Sequence, residues 1–220
     1  MKNIRVWYKK DGACRYISHL DVNRAVMRAM QMSGVPFWHT EGFNTRVYVS
    51  FSLPLSLGFK GDYESFDARL TDDEYPIDKV AEKLNACLPE GIYVYDVTLP
   101  VMKPSQIVYG LFEIMCDSDE CEGEELYSFI TSFFEREHIM AEKKTKKGTL
   151  KEIDLKENVV RYSVDRFDKK VKLTIVLPAG IEKNINPMLL TDIMERELEK
   201  RVCFFVTRSK LYNENFEDFV

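Results

Sequence analysis

The sequence predicts an α+β protein built from two consecutive β-α-β-β-α-β units, which is the ferredoxin-like order. Alternating apolar residues indicate strands, apolar residues three or four apart indicate helices, and the same order of the two recurs in each half. Pro100 and Pro104 lie between the halves and favour an extended joint. We therefore expect tandem ferredoxin-like units, residues 1–102 and 103–220, with antiparallel sheets and helices on one face. The alternative is one continuous α+β sheet without a true repeat.

The first half carries start and stop signals for two helices and four strands. Ser18 has the position of a helix N-cap, and Asp21 three residues later completes a capping box. Gly34 is expected to end this helix and Gly91 to end the second. The predicted elements are strand 3–10, helix 19–33, strands 46–51 and 63–70, helix 76–88 and strand 92–99.

The second half repeats this order with one addition. Asn186 followed by Pro187 predicts a helix start, because asparagine caps the free amides and proline suits the first turn. A basic hairpin insertion is expected at residues 143–157. The other elements are strand 106–117, helix 123–137, a short strand 138–144, strands 159–164 and 170–177, a helix reaching about residue 200, and strand 202–209.

Composition indicates a folded cytoplasmic protein. Apolar residues make up 45% of the 220 residues, which is enough for packed cores. Lysine and arginine interrupt the start of the chain, so we expect no signal peptide, and no apolar run is long enough to cross a membrane. The five cysteines are scattered and fit neither a disulfide framework nor a zinc or iron–sulfur site. We expect no metal and no cofactor.

Charge is distributed unevenly along the chain. Residues 1–50 hold eight Lys/Arg and three Asp/Glu, a balance of +5, whereas residues 51–100 hold four and ten, a balance of −6. Six lysines lie between residues 143 and 156. Such basic stretches suit RNA phosphates, although a lysine-rich hairpin tip can also be only solvated. Phosphate-binding loop, dinucleotide and hydrolase motifs are absent from the sequence.

The polar residues of the first 50 positions give two candidate sites. His19 with Asp21 could act as a general base or metal ligand, or could only support the helix start. Phe43 could stack on a nucleobase next to Arg46, or could fill the core under the helix. The candidate RNA-binding residues are Arg15, His19, Arg24, Arg28, Phe43, Asn44, Arg46, Lys143, Lys144, Lys146, Lys147 and Lys151.

Several segments resemble the radical SAM-linked family of unknown function. They are K-K-D-G-A-C-R-Y-I-S-H-L-D-V-N-R-A-V at 9–26, E-G-F-N at 41–44, S-F-S-L-P-L-S-L-G at 50–58 and K-K-G-T-L-K-E-I-D-L at 146–155. The resemblance implies a role beside a radical SAM partner and near RNA or ribosome processing. It departs at residues 40–46, where the family tends to read S-Q-G-F-N-P-H. The cluster cysteines of radical SAM enzymes are absent here.

These observations favour a non-catalytic RNA-binding or adaptor domain that works with a radical SAM partner. One alternative is an RNA-processing or RNA-modifying enzyme that uses His19. A second is a protein-interaction module that uses the acidic, aromatic tail at residues 213–220. The sequence predicts neither the oligomeric state nor the RNA that is bound.

Overall fold

The computed structural model describes residues 1–144 and 150–220. The chain divides into unit 1, which comprises Met1–Gln106 and Asp218–Val220, and unit 2, which comprises Ile107–Glu217. The described residues form four α-helices and ten strands, and the strands within each unit pair antiparallel. The fold is therefore mixed α+β.

Unit 1 contains six elements in the order that its sequence patterns predict. Its strands lie side by side in the order β4-β1-β3-β2. The elements are β1 (Lys2–Lys10), α1 (His19–Met32), β2 (Val49–Phe51), β3 (Lys60–Leu70), α2 (Asp78–Asn85) and β4 (Ile92–Thr98).

The ends of α1 follow from local chemistry. The Ser18 hydroxyl oxygen accepts from the Asp21 N–H at 3.2 Å, and the same hydroxyl donates to the Asp21 carboxylate at 2.7 Å. Gly34 follows the last turn with a φ of +70°, a conformation that costs glycine little because it has no Cβ. Both sequence signals act where they were expected.

Both helices of unit 1 cover the same face of its sheet. Apolar side chains of α1 and α2 share one buried cluster with alternate residues of the strands. Residues at the intervening positions of β1 and β3, such as Arg5, Asp67 and Arg69, point to the other side because successive side chains of a strand alternate. We call that side the second face of unit 1. The central cluster residues are Ile4, Val6, Tyr8, Val22, Val26, Met30, Phe66, Ala68, Leu70, Val80, Leu84 and Val94.

Unit 2 has a four-stranded sheet in the order β10-β5-β9-β8 and a separate two-stranded sheet, β6-β7. Buried residues alternate along β5, as expected for a strand with one covered face. The elements are β5 (Tyr109–Asp117), α3 (Gly123–Glu135), β6 (Met140–Lys144), β7 (Leu150–Asp154), β8 (Arg161–Phe167), β9 (Lys170–Pro178), α4 (Met188–Leu198) and β10 (Cys203–Tyr212).

Two predicted boundaries are corrected. The basic hairpin does not begin at residue 143, because the strand expected at 138–144 is its first arm and, among the residues that the structure describes, pairs with β7 alone. The strand expected at 46–51 is shortened to β2, Val49–Phe51. The residues before β2 instead turn back on the chain, which is a tertiary feature that alternation alone does not reveal.

Candidate nucleic-acid interface

A hairpin formed by residues 37–48 connects α1 to β2 and is attached to β3. Phe37 forms an isolated bridge with Leu70. The Trp38 N–H donates to the Arg69 carbonyl at 2.8 Å. These two contacts join the first arm of the hairpin to the end of β3, so its outer part is held in a defined place.

The tip of this hairpin is a short loop closed by backbone hydrogen bonds. His39 and Val47 form a bridge, and the Thr40 N–H donates to the Arg46 carbonyl at 2.8 Å. Gly42 has a φ of +120°, which a residue with a Cβ adopts only with strain. Val47 is buried, so by alternation the neighbouring residues of its arm point away from the core.

Phe43 lies at the tip and is fully exposed, with a relative accessibility of 105%. The interpretation of Phe43 as a core plug is therefore wrong. Asn44 and Arg46 are also exposed. An exposed phenylalanine stabilises nothing in the folded chain, because apolar area contributes only when it leaves water. Its ring is available to a ligand.

Arg69 of β3 lies against two aromatic rings at the base of the hairpin. Its guanidinium carbon is 5.2 Å from the centroid of the Trp38 ring and 4.7 Å from that of Tyr48. The two rings contact one another edge to face, with centroids 5.7 Å apart. Within residues 1–144 and 150–220, the Arg69 side chain forms no ion pair, so its charge is held by the rings alone.

An open pocket of about 520 Å³ adjoins Arg69 on the second face of unit 1. Asn3 lies directly across from Arg69 in the β1–β3 pairing and lines the same pocket. A volume of this size matches common small-ligand pockets. The lining residues that bear polar side chains are Asn3, Tyr48, Asp67, Arg69 and Lys103.

Asp67 is already neutralised by a buried arginine. Arg5 is fully buried and donates to both Asp67 carboxylate oxygens, at 2.7 and 2.9 Å, and to the Met102 carbonyl at 2.8 Å. The Phe219 ring covers its guanidinium at 4.3 Å. Phe219 is itself fully buried, and the Tyr63 hydroxyl donates to its carbonyl at 3.0 Å. The last three residues of the chain are therefore part of the packing of unit 1.

A second, more acidic pocket of about 250 Å³ lies on the same face and is lined by Trp7, Tyr63 and Tyr95. The Trp7 and Tyr63 rings are 4.9 Å apart. Burial raises the pKa of the Tyr95 hydroxyl, and nearby negative charge raises it further. That charge would repel phosphate, so this pocket suits RNA less well than the pocket at Arg69. The carboxylates concerned are Asp62, Glu64 and Asp96.

The predicted residues of α1 lie on the other side of the sheet. The half-buried His19 ring contacts Phe51 edge to face at 4.9 Å. The Asp21 carboxylate accepts from Ser18 at 2.7 Å and from Arg24 at 3.2 Å. The Ser18 hydrogen bond contributes most to lowering the Asp21 pKa, which makes this carboxylate a weak base.

The other predicted basic residues that the structure describes belong to elements other than the hairpin of residues 37–48. Arg28 is exposed on α1. Arg15 belongs to a short 3₁₀-helix, and its Nε donates to the Gly58 carbonyl at 3.3 Å. Lys143, Lys144 and Lys151 belong to the paired strands of the basic hairpin, Lys143 opposite Lys151. Lys146 and Lys147 lie outside the described residues.

Trp38, Tyr48 and Arg69 were not among the residues predicted from the sequence. One signal was available, since Trp38 and Tyr48 lie five residues before and five after Phe43. Equal spacing about a Gly-containing turn is what a hairpin with a cross-strand aromatic pair produces. Arg69 had no comparable signal, because the pairing of β3 with the hairpin brings it to the rings.

Residues 3–187 match the model of a family described as uncharacterized proteins conserved in bacteria (DUF2344). The chain belongs to this family. The match covers both the hairpin that carries Phe43 and the strand that carries Arg69. The family description names no partner, so the association with radical SAM proteins stays a prediction.

No curated protein matches the sequence. One similar solved structure is that of a protein described as a candidate glycine cleavage system transcriptional repressor. It is 11% identical, the alignment covers 94% of this chain and 98% of that chain, and the TM-score is 0.26. A likeness this weak carries no functional argument.

The described residues hold neither a cluster of metal ligands nor a membrane-spanning helix. Across residues 1–144 and 150–220, no three His, Cys, Asp or Glu side chains lie close enough together to hold a metal ion. In the same ranges, no helix combines the length and the apolar character needed to cross a membrane.

His138 and Asp154 form an exposed pair at the base of the basic hairpin. The His138 Nδ1 lies 2.6 Å from the Asp154 carboxylate, which also accepts from the Ile139 N–H at 3.0 Å and the Lys156 N–H at 2.9 Å. The hydrogen bond to Asp154 raises the pKa of His138 above 6.5. The bond from Ile139 contributes most to lowering the Asp154 pKa below 3.8. The pair closes the hairpin.

We expect this pair to make the hairpin most stable in mildly acidic solution. The raised pKa means that the His138 contribution is complete below pH 6.5 and is lost as the pH rises through the folded-state value. The Asp154 contribution is present above its ordinary pKa of 3.8 and is lost as the pH falls through its lowered value. An NMR titration of His138 checks this. Asp154→Asn should return the His138 pKa towards 6.5, and an unchanged pKa in that variant would contradict the assignment.

Proposed function

We propose that this protein is a non-catalytic RNA-binding module and that the hairpin of residues 37–48 carries its RNA contacts. The observation that supports this most is the full exposure of Phe43 at a backbone-closed tip, next to the exposed Arg46. Stacking of a base on an aromatic ring contributes about 1–3 kcal/mol and tolerates any base. An adjacent arginine suits the phosphate that follows the stacked base.

The fold interpretation supports the same proposal. We infer that the two units are tandem ferredoxin-like units, divided close to residues 102–106. The strand order supports this inference. The sheet of unit 1 has the order β4-β1-β3-β2, and that of unit 2 has the order β10-β5-β9-β8. If the separate β6-β7 hairpin is not counted, both sheets run from the last strand of the unit to its first, third and second strands. Sheets of this fold can present one face to single-stranded RNA while their helices cover the other.

In this proposal, any catalysed reaction is carried out by a partner protein and not by this chain. The resemblance to the radical SAM-linked family suggests a radical SAM protein, and a cytoplasmic site near RNA or ribosome processing fits that partner. An enzyme that used His19 together with Asp21 would draw on a carboxylate that already accepts hydrogen bonds from Ser18 and Arg24. The protein-interaction alternative needs a free tail, whereas the Phe219 side chain is buried in unit 1.

Replacing Phe43 by alanine should weaken binding of a short single-stranded RNA by about tenfold, which corresponds to the loss of one stacked base. Because Phe43 is fully exposed, the same change should leave the melting temperature unaltered. Fluorescence anisotropy with a labelled RNA measures the affinity. Tyr16→Ala is a matched control, since Tyr16 is also an exposed aromatic residue, at 67%.

Two arginine variants locate the binding face. Arg46→Gln should lower the slope of log affinity against log salt by about 0.7, the value for one phosphate contact on a single strand. Arg28→Gln, on α1, should leave that slope unchanged. If Arg28→Gln and Phe43→Ala had equal effects, the RNA would lie on the helical side. If the parent protein bound no RNA at low salt, the proposed function would be wrong.

A further inference from the structure

We propose that the pocket at Arg69 binds one nucleotide of the RNA, with its phosphate on Arg69 and its base against Tyr48. This inference rests on the proposed RNA-binding function and names the subsite that would hold the phosphate. It uses residues of β1, β3 and the hairpin base, and none of the residues of the tip.

The Arg69 side chain is positioned by rings and not by an ion pair. Two aromatic rings hold its guanidinium, and among the described residues it forms no ion pair. Asp67 stands only two residues away on the same face of β3. Asp67 is bound by Arg5 instead. When aromatic rings hold an arginine, its N–H groups can still donate hydrogen bonds to a ligand. The planar guanidinium presents these donors in a geometry that suits two hydrogen bonds to one phosphate.

The charges around the pocket also favour an anion. Arg69 and Lys103 line it, and the Asp67 carboxylate that also lines it is neutralised by Arg5, its ion-pair partner on β1. The Lys103 side chain is exposed and can reach a ligand by rotation about its own bonds. A pocket with this balance favours an anion over a neutral or cationic ligand.

The pocket also combines an aromatic surface with a polar edge. Tyr48 lines the pocket and is half-buried, so part of its ring is available for stacking. Asn3 stands opposite Arg69 and offers both a donor and an acceptor to the edge of a base. A volume of about 520 Å³ is within the range of sites that bind small ligands. A phosphopeptide would use the cations but would leave the ring and the amide without a role.

The test compares four probes on the intact chain by NMR titration: adenosine 5′-monophosphate, adenosine, inorganic phosphate and a phosphoserine peptide. The indole N–H of Trp38 reports on the site, and that of Trp7, in the acidic pocket, is an internal reference. We expect adenosine 5′-monophosphate to shift the Trp38 signal and to bind about tenfold more tightly than adenosine, a difference typical of charge-assisted hydrogen bonds. Inorganic phosphate should bind more weakly than the nucleotide because it lacks the base.

Arg69→Gln should remove the preference for the nucleotide over adenosine, and Arg28→Gln should keep it. If Arg69→Gln does not fold, Arg69→Lys provides the second variant, which keeps the charge and loses the fork; it should retain only part of the preference. The inference is overturned if adenosine and its monophosphate bind equally, if Trp7 shifts in place of Trp38, or if phosphate alone or a phosphoserine peptide binds as tightly as the nucleotide.

The two proposals fail in distinguishable ways. RNA binding by the parent that Arg69→Gln leaves unchanged would overturn the subsite and leave the proposed function standing. Nucleotide binding at Arg69 by a protein that binds no RNA oligomer would overturn the proposed function. Loss of RNA affinity in both Phe43→Ala and Arg69→Gln, about tenfold in each, would support both.

Discussion

Asp67→Ala is expected to lower the free energy of unfolding by about 3–5 kcal/mol, the usual consequence of removing one partner of a buried ion pair. Arg5 is fully buried, whereas Asp67 is 21% exposed in its side chain. Without the carboxylate, the Arg5 guanidinium would keep the Met102 carbonyl as its hydrogen-bond acceptor and would remain charged, because arginine does not lose its proton in proteins. Urea denaturation of the parent and the variant measures the difference.

A matched control is available in Asp73. Its carboxylate pairs with the chain's N-terminal amine at 2.9 Å, and the two groups are 64% and 53% exposed. Asp73→Ala should therefore change stability by less than about 1 kcal/mol. The double variant Arg5→Met with Asp67→Leu should recover much of the loss, because it removes the buried charge together with its partner. If Asp67→Ala were no more destabilising than Asp73→Ala, the pair would not be a structural element of unit 1.

Phe219→Ala is expected to destabilise unit 1 by about 3 kcal/mol, since truncation of a buried phenylalanine leaves a cavity. Phe219 is fully buried, its ring covers the Arg5 guanidinium at 4.3 Å, and it lies 6.0 Å from the Trp7 ring edge to face. Removing the ring would also admit water to the Arg5–Asp67 pair. Urea denaturation followed by Trp fluorescence measures the loss.

Phe167→Ala is the control for this change, because Phe167 is 54% exposed at the end of β8 and should lose under about 1 kcal/mol. Hydrogen exchange adds a second readout. The Met102 N–H donates to the Val220 carbonyl at 2.7 Å, so Phe219→Ala should speed exchange at Met102. Equal stability losses for the two phenylalanine variants, with unchanged exchange at Met102, would show that the tail contributes no stability.

Local signals accounted for most of the elements. The Ser18 cap and the Gly34 stop bound α1 because capping and positive φ are properties of a few adjacent residues. Alternation in β1 and β3 identified strands, and in the folded chain the same alternation turns Arg5 and Asp67 away from the helices. The hairpin base was missed, since its pairing with β3 joins residues about thirty positions apart.

In the candidate site, too, some features were predicted from local sequence and others were set by tertiary contacts. The sequence placed Phe43 and Arg46 in a Gly-containing loop, but two environments were open to the phenylalanine, and only the folded chain left it in water. The basic residues of α1 were recognised individually, yet the sheet separates them from Arg69. Charge counts along a chain do not record which side of a sheet a residue occupies.

By itself the sequence determined the mixed α+β fold, the order of the elements in unit 1 and the membership of a bacterial family, because propensity, capping and motif spacing are encoded in neighbouring residues. Tertiary structure alone decided that Arg69 lies against Trp38 and Tyr48, that Arg5 is buried against Asp67, and that Phe219 covers Arg5. Those contacts depend on strand register and on chain segments that meet only after folding. No short stretch of chain contains both partners of such a contact, so no local pattern predicts it.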